Sequence, residues 1–234
     1  MRVAVVENTR ITHHGQVGVA LHEAGTRIGQ YRPYLDGRLP TLADYDALVV
    51  FGGEQTALAD DSHPYLPALA ATMRAFSEAD RAVLGICLGA QILARGFGAQ
   101  NLIGTAPEFG WCPVQLTEAA QTDPVLGALP ATFPIFEWHS DTFSLPDGAV
   151  HLAHSAGAAH QAYRLGRATY GTQFHFEASR PVVADWSRSF PTLAEAMQPG
   201  WAADHPTLAE RFGPEADRIG LQIARGFVAQ IRPA

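Results

Sequence analysis

Residues 83–99, Val-Leu-Gly-Ile-Cys-Leu-Gly-Ala-Gln-Ile-Leu-Ala-Arg-Gly-Phe-Gly-Ala, constrain this chain more than any other stretch. The apolar run over 82–86 has the size of a buried parallel strand. Gly85-Ile86-Cys87-Leu88-Gly89 follows its course into a turn, and Ala90, Gln91, Ile92, Leu93 and Ala94 then supply good helix formers. The pattern predicts strand, sharp turn and helix with a thiol at the apex, the cysteine form of a nucleophile elbow. Glycines flank the apex because a Cβ there would collide with the neighbouring strand or helix. Such a turn sets the sulfur at a helix N-terminus, where unpaired N–H groups favour a thiolate. It also aims the Leu88 N–H at an oxyanion bound beside the sulfur. A buried structural cysteine in a tight turn has the same local sequence, since free cysteine is often buried. A catalytic reading needs a base elsewhere.

Composition narrows the class. The chain has 234 residues, 47% hydrophobic and 17% charged, enough for one large α/β domain with a real core. Formal net charge is −7 and there is no basic run, which argues against nucleic acid as a partner. All 16 basic residues are arginine, a compositional bias and not a site. Two cysteines, Cys87 and Cys112, make no disulfide framework. No apolar stretch reaches the ~18 residues of a membrane span. The first residues, Met1-Arg2-Val3-Ala4-Val5-Val6-Glu7, turn polar too soon for a signal peptide and read as a strand. A reducing cytoplasm is the expected compartment.

Along the chain, strands are expected over 2–6, within 26–42 and over 46–51, with helices over about 17–25 and from Pro64 onward. Leu66, Leu69, Met73 and Phe76 recur at helical spacing and form that second helix's core face. Alternating strands and helices argue a doubly wound, mainly parallel sheet flanked by helices. Sites in such sheets lie at the strands' carboxyl ends, where both Gly52-Gly53 and Cys87 fall. Beyond Gly98, short strand candidates at 99–103, 111–117, 133–137, 149–153, 160–165 and 169–174 predict added antiparallel strands paired as hairpins. A helical tail follows, whose last helix has one apolar face of Ile219, Ile223, Ala224, Phe227, Val228 and Ile231. No linker or repeat is visible. The expectation is a single domain over 1–234, with a core over about 1–180 and a helical extension over about 181–234.

Tyr170-Gly171-Thr172-Gln173-Phe174-His175-Phe176-Glu177 supplies the base. Residues i and i+2 of a strand share a face, so His175 and Glu177 would lie side by side. A base needs such a carboxylate to fix its tautomer. Alone, His175 would read as a partly buried polar residue at a strand end; with the elbow, the catalytic reading prevails.

At this point the chain resembles the class I (triad) glutamine amidotransferases, and among them the stand-alone, GMP-synthase-like domains. The resemblance covers about residues 40–180. It rests on Phe51-Gly52-Gly53 after a strand, on Gly85-Ile86-Cys87-Leu88-Gly89-Ala90-Gln91, and on Gly171-Thr172-Gln173-Phe174-His175-Phe176-Glu177. Phe109-Gly110-Trp111 and Trp138-His139-Ser140-Asp141-Thr142-Phe143 also have counterparts there. The resemblance implies a flavodoxin-like fold. It implies Cys87 as nucleophile, His175 as general acid and base, and Glu177 as its orienter. It implies Gly53 and Leu88 as backbone oxyanion donors, and Gln91 as a residue holding glutamine. His139, Ser140 and Asp141 fall where the family's loop meets the substrate's amino-acid end. No metal and no organic cofactor are expected. Two departures stand out. Many relatives have proline where this chain has Phe176, which removes a backbone restraint; proline at that position is expected to be tolerated. Glu54 replaces a proline, and a carboxylate near a thiolate disfavours its ionisation.

Other candidates read as ordinary structure. His13-His14 lacks further metal ligands and reads as loop or cap. Cys112 reads as filler, Asp60-Asp61 as a solvated loop or cap, and Trp186, Phe190 and Trp201 as a cover over the sheet. Three functions remain open. One is a glutaminase that hydrolyses L-glutamine through a glutamyl thioester and passes ammonia to a synthetase partner. Another is a hydrolase of larger γ-glutamyl amides or peptides. The third, a non-catalytic binding protein, is disfavoured by the His175-x-Glu177 pair. No ATP-binding loop of the Gly-rich Lys-Ser/Thr type is present, so any acceptor chemistry is expected on another polypeptide, or not to exist.

Overall fold

Alternation of side chains along the first strands decides the layering. In the computed structural model, which describes residues 1–233, β1 (Arg2–Val6) sends Val3 and Val5 into one buried cluster and Ala4 and Val6 into another. Strands buried on both faces belong in a parallel sheet covered by helices on both sides. The order of elements bears this out. After β1 come α1 (Gly15–Glu23), β2 (Arg27–Tyr31), the short α2 (Pro33–Asp36), β3 (Ala47–Val50) and α3 (Leu66–Glu78). Then come β4 (Ala82–Ile86), α4 (Leu88–Gly96), β5 (Asn101–Leu102), β6 (Glu108–Leu116), β7 (Thr132–His139) and β8 (Thr142–Phe143). β9 (Val150–His154), β10 (Ala162–Leu165), β11 (Thr169–Thr172), α5 (Arg180–Ser189), α6 (Pro191–Met197) and α7 (Trp201–Val228) complete the chain.

Nine strands form one sheet in the order β2-β1-β3-β4-β11-β10-β9-β6-β7. The half from β2 to β11 is parallel, and the half from β11 to β7 is antiparallel. The expected mainly parallel sheet with added antiparallel strands is therefore present. β5 and β8 pair apart from it as a two-residue ladder. The expected strand over 99–103 shrinks to these two residues, since its neighbours enter turns.

Helices α1 and α7 cover one face, with Leu21, Ile219, Ile223 and Phe227 packed on Val3, Val5, Val49 and Leu84. Helices α3 and α4 cover the other, with Leu69, Met73, Phe76, Ile92 and Leu93 packed on Leu48, Val50 and Val83. The apolar face expected of the last helix is the one buried. Its burial makes α7 a layer of the core. A third cluster, around Phe136, Val183, Ala194 and Trp201, seats α5 and α6 on the antiparallel half.

Candidate active site

Three neighbouring parallel strands bring the three motifs together. β3, β4 and β11 lie side by side and point the same way, so their carboxyl ends open on one edge. Gly52-Gly53 follows β3, Cys87 follows β4, and Gln173 to Glu177 follow β11. Cys87 has φ 53° and ψ −111°, a left-handed conformation rare for a residue with a side chain and the hallmark of a tight strand–helix turn. The glycines around it are required by contact. A Cβ on Gly89 would lie 2.1 Å from the Val50 carbonyl oxygen, and one on Gly85 would lie 2.4 Å from that of Gly89. The turn places the Leu88 N–H in the first turn of α4, where it has no intrahelical acceptor.

The His175 Nδ1 lies 2.7 Å from Glu177 Oε1, in a buried pair, while the imidazole also faces the Cys87 thiol. Burial alone would lower the His175 pKa, but the charges of Glu177 and Cys87 outweigh it and hold the imidazole well above its usual range. Strand alternation is not what joins the pair, because β11 ends at Thr172. A turn does it: His175 N–H donates to the Phe136 carbonyl at 2.8 Å, and Ala178 N–H donates back to His175. Phe176 between them is 1% exposed, packed against Phe174. Its carbonyl abuts Gly220, where a Cβ would lie 2.1 Å away, and the Glu177 carbonyl accepts the Gln16 N–H at 3.0 Å. Burial and backbone contacts supply the restraint that proline would give.

The surrounding residues make a cavity of about 400 Å³. Gly53, Leu88, Gln91, His139, Ser140 and Asp141 all line it with Cys87, His175 and Glu177. Gln91 donates from Nε2 to Gln173 Oε1 at 3.2 Å and to the Asp141 carbonyl at 3.3 Å. Asp141 Oδ1 is held by the Gly104 N–H at 2.8 Å. His139 contributes to the wall, but both ring nitrogens are turned to protein groups: Nδ1 to the Asp141 carbonyl at 3.1 Å, Nε2 to Glu137 and Glu108 at 3.3 and 3.4 Å. Glu54 stands at the rim, where its carboxylate accepts the Thr9 hydroxyl at 3.1 Å.

Several neighbours escape a reading of single motifs. Gln173 donates to the Cys87 sulfur at 3.6 Å, although it stands inside a motif already singled out. Trp186 sets its edge on the His175 ring, centroids 5.2 Å apart, and donates to the Ile11 carbonyl at 3.1 Å. With Phe190, Leu193 and Met197 it makes an apolar wall, so the aromatic stretch covers the site as well as the sheet. Glu108 meets His139 across the β6–β7 hairpin, in register with it, and Glu137 meets it from two residues earlier in β7. Burial pushes Glu137 up to about 7, and the two carboxylates raise His139 to about 10 against the burial that would lower it. His13 and His14 are both engaged, with Asp185 and Glu7, each at 2.8 Å. Asp60 is not a cap but a bidentate partner of Arg95.

Fold and site together define an α/β protein with a Cys-His-Glu constellation at the carboxyl edge of a parallel sheet. The chain belongs to the class I glutamine amidotransferases: residues 19–182 match the family described as "Glutamine amidotransferase class-I". It is 33% identical over 187 residues to a glutamine amidotransferase-like protein, YfeJ, of Salmonella typhimurium, covering 78% of each chain. It is 29% identical to a glutamine-hydrolyzing GMP synthase subunit of Natronomonas pharaonis, over 79% of this chain and 92% of that one. The match to the GMP synthase subunit of the same description from Thermoplasma acidophilum, at 34% identity, spans 63% of that protein, and that to the GMP synthase of Thermomicrobium roseum spans 34%. The chain thus corresponds to about a third of that longer synthase. Among solved structures, a glutamine amidotransferase from Methylobacillus flagellatus superposes with TM-score 0.88 at 26% identity, covering 100% of this chain and 96% of the other. One from Thermotoga maritima has the same fold, TM-score 0.88 at 23% identity, over 100% and 99% of the two chains. No helix among the described residues is long and apolar enough to cross a membrane.

Proposed function

We propose that this chain hydrolyses the side-chain amide of L-glutamine through Cys87, His175 and Glu177 and hands the ammonia to a separate synthetase. The observation that carries the reading is the His175 imidazole, held at 2.7 Å by Glu177 and facing a thiol on a strained elbow. The Cys87 thiolate attacks the amide carbon. The N–H groups of Leu88 and Gly53 receive the tetrahedral oxyanion, a service worth about 10²–10³ in rate per donor. His175 gives its proton to the departing ammonia, leaving a γ-glutamyl thioester. It then takes a proton from water, which attacks the thioester and releases glutamate. Glu177 keeps the Nδ1 proton in place throughout. The step consumes one water and needs no cofactor. The test is steady-state ammonia release from glutamine by the purified chain, alone and with Cys87→Ala. Activity that survives Cys87→Ala contradicts the assignment.

The cavity favours a second reading. Its wall of Ile11, Trp186, Phe190, Leu193 and Met197 extends past the catalytic residues and is apolar. A γ-glutamyl amide with an apolar amine would use that wall, and free ammonia would not. A larger kcat/KM for γ-glutamyl anilide than for glutamine would select this hydrolase reading; the reverse order would select the amidotransferase.

A further inference from the structure

At the end of β7, behind the cavity wall, lies a buried group of side chains that takes no part in the proton and acyl transfers above. Glu108 extends from β6, and Glu137 and His139 from β7, on the same sheet face because they are two residues apart in one strand and paired across the hairpin. One ligand atom from each lies within 4.8 Å of the others. Glu137 is 0% exposed, yet neither of its carboxylate oxygens has a hydrogen-bond partner, and the buried His139 Nε2 has none either. Apart from their mutual ion pairs, Glu137 and the His139 Nε2 make no aligned hydrogen bond, and an under-satisfied interior cluster of this kind suits a shared occupant.

The spacing fits a metal ion. His139 Nε2 lies 3.3 Å from Glu137 and 3.4 Å from Glu108, without the alignment of a hydrogen bond. Two ligands bound about 2.0–2.2 Å from one zinc ion at the tetrahedral angle stand roughly 3.3–3.6 Å apart. The outer contacts have the same character. The His139 Nδ1–H donates to the Asp141 carbonyl at 3.1 Å, which leaves Nε2 as the metal-facing nitrogen. Glu108 accepts from the Ser155 hydroxyl and the Gln161 amide, each at 2.7 Å, which fixes its carboxylate. We propose that Glu108, Glu137 and His139 bind a divalent transition-metal ion of the zinc class, which ties β6 to β7 under the substrate-facing turn. One imidazole and two carboxylates suit zinc better than magnesium, which prefers all-oxygen octahedral sites and keeps its waters. The ion leaves a fourth position for water. It takes no part in the Cys87 chemistry, so the proposal stands whatever the substrate.

The sequence singled out His139 for the substrate loop but not its grouping with Glu108 and Glu137. Glu137-Trp138-His139 has the two-residue spacing of His175-Phe176-Glu177 in reverse, but its third member lies across a hairpin.

The test is calorimetric titration of Zn²⁺ into the full chain after dialysis against chelator. Cys87→Ala and Cys112→Ser are introduced first, so that no thiol competes for the ion. One equivalent of Zn²⁺ is expected to bind, and to raise the melting temperature. Glu137→Gln and Glu108→Gln should each weaken binding by about 100-fold or more, and Ser155→Ala by about 10–100-fold through the lost outer contact. Far-UV circular dichroism identifies any variant that does not fold. Co²⁺ in the thiol-free chain gives a readout independent of those variants: intense visible bands of a four-coordinate ion are expected. Absence of stoichiometric Zn²⁺ binding, binding unchanged in folded Glu137→Gln and Glu108→Gln, or only the weak bands of octahedral Co²⁺ would each overturn the proposal.

Discussion

At the scale of single residues, the two cysteines differ by their surroundings. Cys87 sits at a helix N-terminus facing an imidazole, whereas burial, with Glu137 and Glu108 nearby, pushes the Cys112 thiol up to about 12. Cys87→Ser should therefore abolish amide hydrolysis, and Cys112→Ala should leave it intact; ammonia release measures both. His175→Ala should cost about 10²–10⁴ in kcat, more than Glu177→Gln, because the imidazole moves the proton and the carboxylate aligns it. The pH profile separates these roles further. Glu177 raises the His175 pKa, so removing its charge lowers it. The alkaline limb of kcat/KM should lie well above the usual histidine range in the parent and move to lower pH in Glu177→Gln. An unmoved limb would mean that Glu177 does not act on His175. Gln173 shows what a motif conceals. Its presence next to the catalytic pair is plain in the sequence, but its bond to the sulfur depends on β11 ending three residues before the histidine.

At the scale of elements, Glu7 joins three of them. Its carboxylate at the end of β1 receives His14 from the start of α1 and Gln30 and Arg32 from the β2 end. Burial would raise its pKa, but these donors prevail and lower it to about 2. A depressed carboxylate stabilises the fold above its unfolded pKa and loses that contribution as pH falls. Relative to Glu7→Gln, the parent should lose on the order of 3 kcal/mol between about pH 4.5 and pH 2, as read by denaturant unfolding. The elbow is equally specific. Gly89→Ala should fold poorly, because the new Cβ meets the Val50 backbone and β3 cannot withdraw from the sheet. Phe176→Pro belongs here too. Proline keeps the spacing of the pair but deletes a buried ring, and Phe→Ala in a core costs about 3–5 kcal/mol. The variant is expected to keep its kcat and lose thermal stability, so the tolerance expected from sequence extends to catalysis and not to the fold. The elements were legible where periodicity was strong: β1, β4 and the apolar face of α7 lie where alternation and helical spacing put them. The two-residue ladder of β5 and β8 was not, because so short a pairing carries no pattern of its own.

At the scale of the molecule, the convergence of three motifs followed from strand order. Motifs that end strands of a parallel sheet must share an edge, so Gly53 and Cys87 could be grouped before any distance was known; His175 joins them because its strand, expected among the antiparallel hairpins, runs parallel beside β4. What sequence could not supply was the wall opposite. Trp186, Phe190 and Met197 reach the cavity only because α5 and α6 fold back over it, a tertiary fact with no local signal. A glutaminase that feeds a synthetase is expected to idle without it. The isolated chain should therefore turn over glutamine slowly, and addition of a cognate synthetase should raise kcat; fast unassisted turnover would contradict the coupling. The catalytic expectations all rest on Cys87 forming a covalent bond to the γ-carbonyl of its substrate. The most direct measurement is mass spectrometry of the chain after reaction with a diazo-ketone analogue of glutamine, followed by peptide mapping. The account predicts one adduct per chain, on Cys87 alone, and none after Cys87→Ala. An adduct on Cys112, or a Cys87 left unmodified while glutamine is still hydrolysed, would contradict it.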